Sequence, residues 1–266
     1  MKQTRLFLLI AFILMYASHG TMLLLLRSAD FSLSHPVIGA LAFIGGGSPT
    51  FAAVFVVYRR YSTEEQNGFW SSVLRFRVPV NHWLYALVLP AILTVLTGIA
   101  GRQTLGLPFV SAEDLMRFPL LLVSAVFLGG LEEWGWRGVL LSDLRGRLSL
   151  VTLSLLTGVL WAFWHLPLFF IDELAHSGYA FLPYLTSTVL LSVYMTVLVI
   201  RTKSILMAVV MHASTNAVSQ LGFSFPMDHT AGAYLVSALL ILAGVFWLTR
   251  LERQDDVTTP LFPDRP

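Results

Sequence analysis

The chain has 266 residues, 56% of them hydrophobic and only 12% charged, against roughly 25% charged in an ordinary soluble domain. So few polar groups cannot cover a globular surface in water, which excludes a soluble enzyme and leaves lipid as the solvent. The net charge of +2 says little by itself, and the lack of cysteine excludes disulfides, thiol catalysis and Cys-ligated metals.

A hydrocarbon core about 30 Å thick needs about 20 apolar residues of helix. Eight such stretches run along the chain, at residues 6–26, 37–58, 83–100, 118–141, 150–170, 181–200, 204–221 and 233–248. They predict an all-α, polytopic integral membrane protein of about eight transmembrane helices. With a cytoplasmic N-terminus, thirteen of the seventeen Lys and Arg residues fall on the cytoplasmic side, three on the other, and Arg137 inside a span. That asymmetry supports an even number of spans, with both termini cytoplasmic, and a multi-pass protein of the cell (cytoplasmic) membrane.

The first stretch has Lys2 and Arg5 ahead of an apolar run, as a signal peptide does. A second apolar run follows its polar break at residues 16–20 and no small-residue cleavage site is evident, so a retained helix is expected. Residues 1–251 read as one transmembrane domain with its core at 118–221. Residues 252–266, short and charged, read as a disordered cytoplasmic tail. The segment 59–77, with Phe69 and Trp70 among its charges, reads as lying on the cytoplasmic leaflet. There is no internal repeat, phosphate-binding glycine loop or basic nucleic-acid patch.

Three charges stand in the fourth span, Glu132, Glu133 and Arg137. Each costs roughly 2.5–3.5 kcal/mol near a helix centre, so something must offset them. Glu133 and Arg137 are four apart with the acid first, the favourable order for a pair one turn apart. Glu132 points about 100° away and needs a partner from another helix. The fifth span offers Trp161-Ala162-Phe163-Trp164-His165 and the seventh His212-Ala213-Ser214-Thr215-Asn216. At about 1.5 Å per residue from the cytoplasmic ends, Glu132, His212, Asn216 and His165 lie about 14, 12, 18 and 22 Å deep, roughly level. Pro167 leaves the Phe163 carbonyl without its helical donor, so the helix is expected to be irregular beside His165.

Bland readings stand beside these. A Glu–Arg pair can be a structural clamp, a lone intramembrane His a packing residue, and Asn216 an interhelical hydrogen bond. Trp134, Trp136, Trp161 and Trp164 read as packing and interfacial residues. His19, His35, His82, His176, His229, Asp172 and Glu173 read as solvated. The grouping of two acids, two histidines, an amide and an arginine on three helices favours chemistry. Glu132 could act as a general base on water with His165 as its partner. Alternatively, Glu132, His165 and His212 could form a two-His, one-carboxylate zinc shell. His212 and Asn216 could donate to an oxyanion from one helix face. Glu133 and Arg137 would support the first carboxylate from behind. A proton-coupled transporter could use the same groups, though no repeat symmetry is present.

The three motifs, Glu132-Glu133-Trp134-Gly135-Trp136-Arg137, Trp161 to His165 and His212 to Asn216, resemble those of the CPBP (Abi) family. That family includes CAAX-processing endopeptidases and bacteriocin-processing enzymes. Trp161 stands where many members carry Phe, and residues 47–53 resemble a weaker family feature. The resemblance implies an eight-helix intramembrane endopeptidase, open to the cytoplasm, that hydrolyses a membrane-associated peptide or protein. It places Glu132 and His165 at the attacking water, and His212 and Asn216 at the oxyanion. It favours metal-independent catalysis, while non-catalytic immunity or scaffolding roles also occur among bacterial members.

Overall fold

The computed structural model describes residues 2–28, 31–101, 111–221, 230–255 and 260–262, and these are helical with no strand among them. Helix α1 is Lys2–Leu26 and α2 is Pro36–Gly46. They are followed by α3 at Ser48–Arg60, α4 at Thr63–Val73, α5 at Val80–Gly101 and α6 at Ala112–Phe127. After two short irregular helices come the single turn α7 (Ser142–Leu144), α8 (Leu150–Trp164), α9 (Phe181–Thr202), α10 (Ile205–Gln220) and α11 (Ala231–Glu252).

Among the described residues, six helical segments are long and apolar enough to cross a membrane, and α2 with α3 makes a seventh if the bent pair is one span. The chain is therefore an all-α, multi-pass membrane protein. The seventh expected span, 204–221, forms α10, whose 16 residues reach only about 24 Å at 1.5 Å per residue. It is too short to cross alone, and it packs inside the bundle with most of its residues buried. The second expected span is not continuous: α2 and α3 meet at a 53° bend. Gly47 and Pro49 sit at that break, where Pro cannot supply the hydrogen bond a continuous helix requires.

The break serves packing. Ser48, freed at the start of α3, donates to the Ala11 carbonyl over 2.9 Å and accepts from the Trp164 indole over 3.1 Å. Residues 47–53 thus join α1, α3 and α8. Elsewhere, Ser62 and Glu65 form a reciprocal cap on α4, Ser111 and Asp114 one on α6, and Ser149 caps α8. Helix α4 is not simply laid on the leaflet. Its Phe69 is buried, and Trp70 meets Trp134 edge-on at 5.3 Å.

The centre of the bundle is α9, with 78% of its apolar window buried. It approaches α8 through small residues, as helices in lipid do when backbone contact holds them. Ser192 donates to the Ser154 carbonyl over 2.7 Å, and Thr188 donates to the Gly158 carbonyl over 3.3 Å. At the Arg-rich end the chain's last described residues are fastened rather than free. Asp255 pairs with Arg145 through two contacts of 2.6 and 2.7 Å and with Lys203 at 3.3 Å. Glu252 accepts from the Leu150 backbone N–H at 2.8 Å, and Leu261 and Phe262 are buried in the core. The expectation of a disordered tail fails for these residues, because long-range ion pairs and two apolar side chains hold them.

Candidate active site

The fourth span does not run as one α-helix through its charges. Helix α6 stops at Phe127, Gly130–Glu132 form a 3₁₀ turn, and Trp134–Leu141 form a π-helix. Wide π turns are rare and recur at functional sites. Here the irregularity sets Glu132 and Glu133 in different directions. Both are buried, at 6% and 0% exposure.

Glu133 holds two partners at once. Its Oε2 accepts from Arg137 over 2.7 Å, and its Oε1 meets Nδ1 of His212 at 2.9 Å. The expected Glu133–Arg137 clamp is present, and it also orients the histidine of α10. Arg137 is fully buried. Its Nε and second terminal nitrogen have no hydrogen-bond partner among the described residues, and its guanidinium lies 5.5 Å from the Trp161 ring centre, where the π face offers partial compensation.

Glu132 finds its partner on another helix, as its charge required, but the partner is Trp161. The indole N–H donates to Oε2 over 2.9 Å. Trp161, expected to be a packing residue, therefore lies at the centre of the cluster. Its ring meets His212 at 5.0 Å and His165 at 5.8 Å. The Nδ1 of His165 lies 2.9 Å from the Trp161 carbonyl; donation to that carbonyl leaves Nε2 as the nitrogen available for chemistry. No hydrogen bond joins Glu132 directly to His165 among the described residues; both are positioned by the same tryptophan.

Asn216 and His212 lie one turn apart on α10 and converge on one place. A Cβ added at Gly129 would stand 2.6 Å from Asn216 Nδ2 and 3.2 Å from His212 Nε2. Two nitrogen groups thus face a space that only a residue without a side chain leaves open. Gly129 is a part of the site that no sequence motif named, although its place just before the charges was a signal.

The irregularity expected near His165 is present. Helix α8 ends at Trp164, and Leu166–Phe170 continue as a 3₁₀ turn. The Phe163 carbonyl that Pro167 leaves without its helical donor is taken by the Tyr16 hydroxyl at 2.7 Å. The polar break in the first stretch thus has partners. Ser18 returns to the Leu14 carbonyl, and His19 is buried in a notch where Gly45 leaves room for it. His19 is accordingly not solvated. His176 is half-buried, and its ring stacks on His165 at 5.9 Å and 21° between planes. His82 is half-buried, Asp172 and Glu173 are exposed as expected, and His229 lies outside the described residues.

The donor set does not fit the expected zinc shell. Among the described residues no three His, Asp or Glu side chains are grouped to hold a metal ion. The Trp161 indole instead lies among them, in contact with both imidazoles and with Glu132.

The helical membrane bundle thus gathers two buried carboxylates, two buried imidazoles and an amide on three segments. Known proteins resemble this part of the chain. Residues 114–218, which contain all three motifs, match the Rce1-like family, described as type II CAAX prenyl endopeptidase Rce1-like. The chain is also 31% identical over 134 residues to CAAX prenyl protease 2 of Methanococcus maripaludis. That alignment covers 46% of this chain and 48% of the relative, so the chain spans about half the length of the curated relative it matches. Over this segment the chain is similar to the Rce1-like family of type II CAAX prenyl endopeptidases.

Proposed function

We propose that the chain is an intramembrane endopeptidase of the cell membrane that hydrolyses a peptide bond in a membrane-associated peptide or protein. The observation that carries this reading is the convergence at Gly129. His212 and Asn216 face one open space there, and Glu132 lies three residues further along the same chain.

In this reading Glu132 takes a proton from water as the water attacks the scissile carbonyl. The Trp161 indole holds the carboxylate in place through its N–H. As the carbonyl oxygen gains charge, the Asn216 amide and His212 Nε2 donate to it. His212 does so with a proton on Nε2, while its Nδ1 faces Glu133. Arg137 holds the Glu133 carboxylate in place through its 2.7 Å contact. His165, whose Nε2 is an acceptor when Nδ1 donates to the Trp161 carbonyl, shares the attacking water, and Glu132 passes the proton it took to the departing amine. Water activation is assigned to Glu132 without a metal.

The family and the relative named for CAAX prenyl proteolysis support proteolysis as the reaction class. The test compares the membrane peptidome of a deletion strain carrying the wild-type chain with one carrying Glu132→Ala. Uncleaved precursors that accumulate only with Glu132→Ala, at normal levels of inserted protein, support the reading. Identical peptidomes, or full activity of both Glu132→Ala and His165→Ala on an identified substrate, overturn it.

A further inference from the structure

At the Arg-rich end of the bundle, away from the Glu132 cluster, the first turns of α5 and the last turns of α9 and α11 enclose a cavity of about 130 Å³. This is several times the space that admits one water. Asn81 and His82 of α5, Arg201 of α9 and Trp247 of α11 line it, with Tyr85 one turn further in. No acidic residue lines it.

Three features indicate the chemistry of an occupant. Arg201 has no carboxylate partner among the described residues, and its guanidinium lies 5.8 Å from the Trp247 ring centre. The Nδ1 atom of His82, a residue lining the cavity, is buried without a hydrogen-bond partner among the described residues, a costly state that a turn of the ring toward an occupant would relieve. Tyr85 packs edge-on against Trp247 at 5.8 Å and donates its hydroxyl to the Tyr194 carbonyl at 3.2 Å, so that wall is held rigid. A cation, an unfilled imidazole nitrogen and an amide around a cavity without acids suit an anion with several acceptor oxygens.

Position points to the source. The cavity lies at the terminus of three helices at the Arg-rich end, where an aromatic and basic belt meets lipid headgroups. Both flanking helices carry exposed apolar residues beyond it. Leu84 and Val88 on α5 are 57% and 46% exposed, and Leu242 and Phe246 on α11 are 62% and 61% exposed. An acyl chain attached to the anion could lie along such surfaces. We infer that this cavity binds a phosphate-bearing anion through Arg201 and His82, in the manner of basic pockets between membrane helices that take lipid headgroups.

The experiment follows thermal unfolding of the purified full chain in neutral detergent with added phosphatidylglycerol, phosphatidylcholine or inorganic phosphate. Phosphatidylglycerol should raise the midpoint by about 2–4 °C or more. Phosphatidylcholine, whose choline offsets the phosphate charge, should do less. Arg201→Gln or His82→Leu should remove most of the increment, whereas Arg250→Gln, which removes the same charge from the same end outside the cavity, should keep it. The increment on adding ligand is the readout, so a lower starting stability in a variant does not obscure the result. A shift from phosphatidylglycerol alone assigns a lipid; an equal shift from inorganic phosphate assigns the free anion, and both support the site. No shift from either, equal shifts from the two lipids, or an increment that survives in both Arg201→Gln and His82→Leu overturns it.

Discussion

The Trp161 indole donates to Glu132 Oε2 over 2.9 Å, across 29 residues of sequence. The acid without a partner on its own segment is thereby fixed by the residue that also contacts His165 and His212. Hydrogen bonds to charged groups contribute about 1.5–3 kcal/mol. Trp161→Phe keeps an aromatic ring and loses the donor, so cleavage should fall by about ten- to a hundredfold with the protein still inserted. An unchanged cleavage rate on an identified substrate would show that the indole only packs.

Gly129 tests the other half of the site. A Cβ at this position would stand 2.6 Å from Asn216 Nδ2 and would fill the space that His212 Nε2 also faces. Loss of one oxyanion donor costs about a hundred- to a thousandfold in known hydrolases. Gly129→Ala should lower cleavage by a similar factor while its melting midpoint stays close to the wild-type value. A variant that cleaves normally would remove Gly129 from the site.

The two neighbouring acids should separate by readout. Glu133→Gln takes the charge partner from Arg137, which is wholly buried, and weakens the contact to His212. Breaking a buried pair from one side costs about 3–5 kcal/mol, so the melting midpoint should drop by about 10 °C along with activity. Glu132→Gln leaves that clamp whole and should abolish cleavage at near-normal stability. Equal midpoints for the two variants would contradict this division.

Much of this arrangement was legible in the sequence, and its limits have physical causes. The pairing of Glu133 with Arg137 followed from their spacing, and the irregularity after Trp164 from Pro167. The 3₁₀ and π turns around Glu132 were not legible, because periodicity assumes one helix type through the whole span. Nor was the burial of His19, which depends on the space left by Gly45 on another helix. Composition alone made residues 252–266 look disordered, since the Arg145 that binds Asp255 is 110 residues away. The apolar stretch 204–221 looked like a span because hydropathy does not distinguish lipid from protein surroundings, and α10 is buried in protein.

Metal removal checks the way water is activated. With no three His, Asp or Glu side chains grouped to hold a metal ion among the described residues, cleavage should persist after exhaustive chelation. Loss of activity that returns on adding zinc would place a metal at Glu132 and require the side chains to rearrange around it.

Asp255 makes the fastening of the last described residues sensitive to acid. Burial works against its ionisation, but the hydrogen bonds from Arg145 and the charge of Lys203 outweigh it and hold the carboxyl below its usual range. A carboxylate depressed by folding stabilises the folded state above its unfolded value of about 4, and that contribution is lost as pH falls through the lower folded value. The contact should therefore be intact at pH 6 and should weaken only below about pH 4. Carboxypeptidase digestion of the purified protein across this range measures the release. Wild-type protein should become sensitive as pH falls below about 4, whereas Asp255→Asn should already be sensitive at pH 6. If both proteins resist digestion equally at pH 6, the burial of Leu261 and Phe262 holds the segment and the ion pairs contribute little.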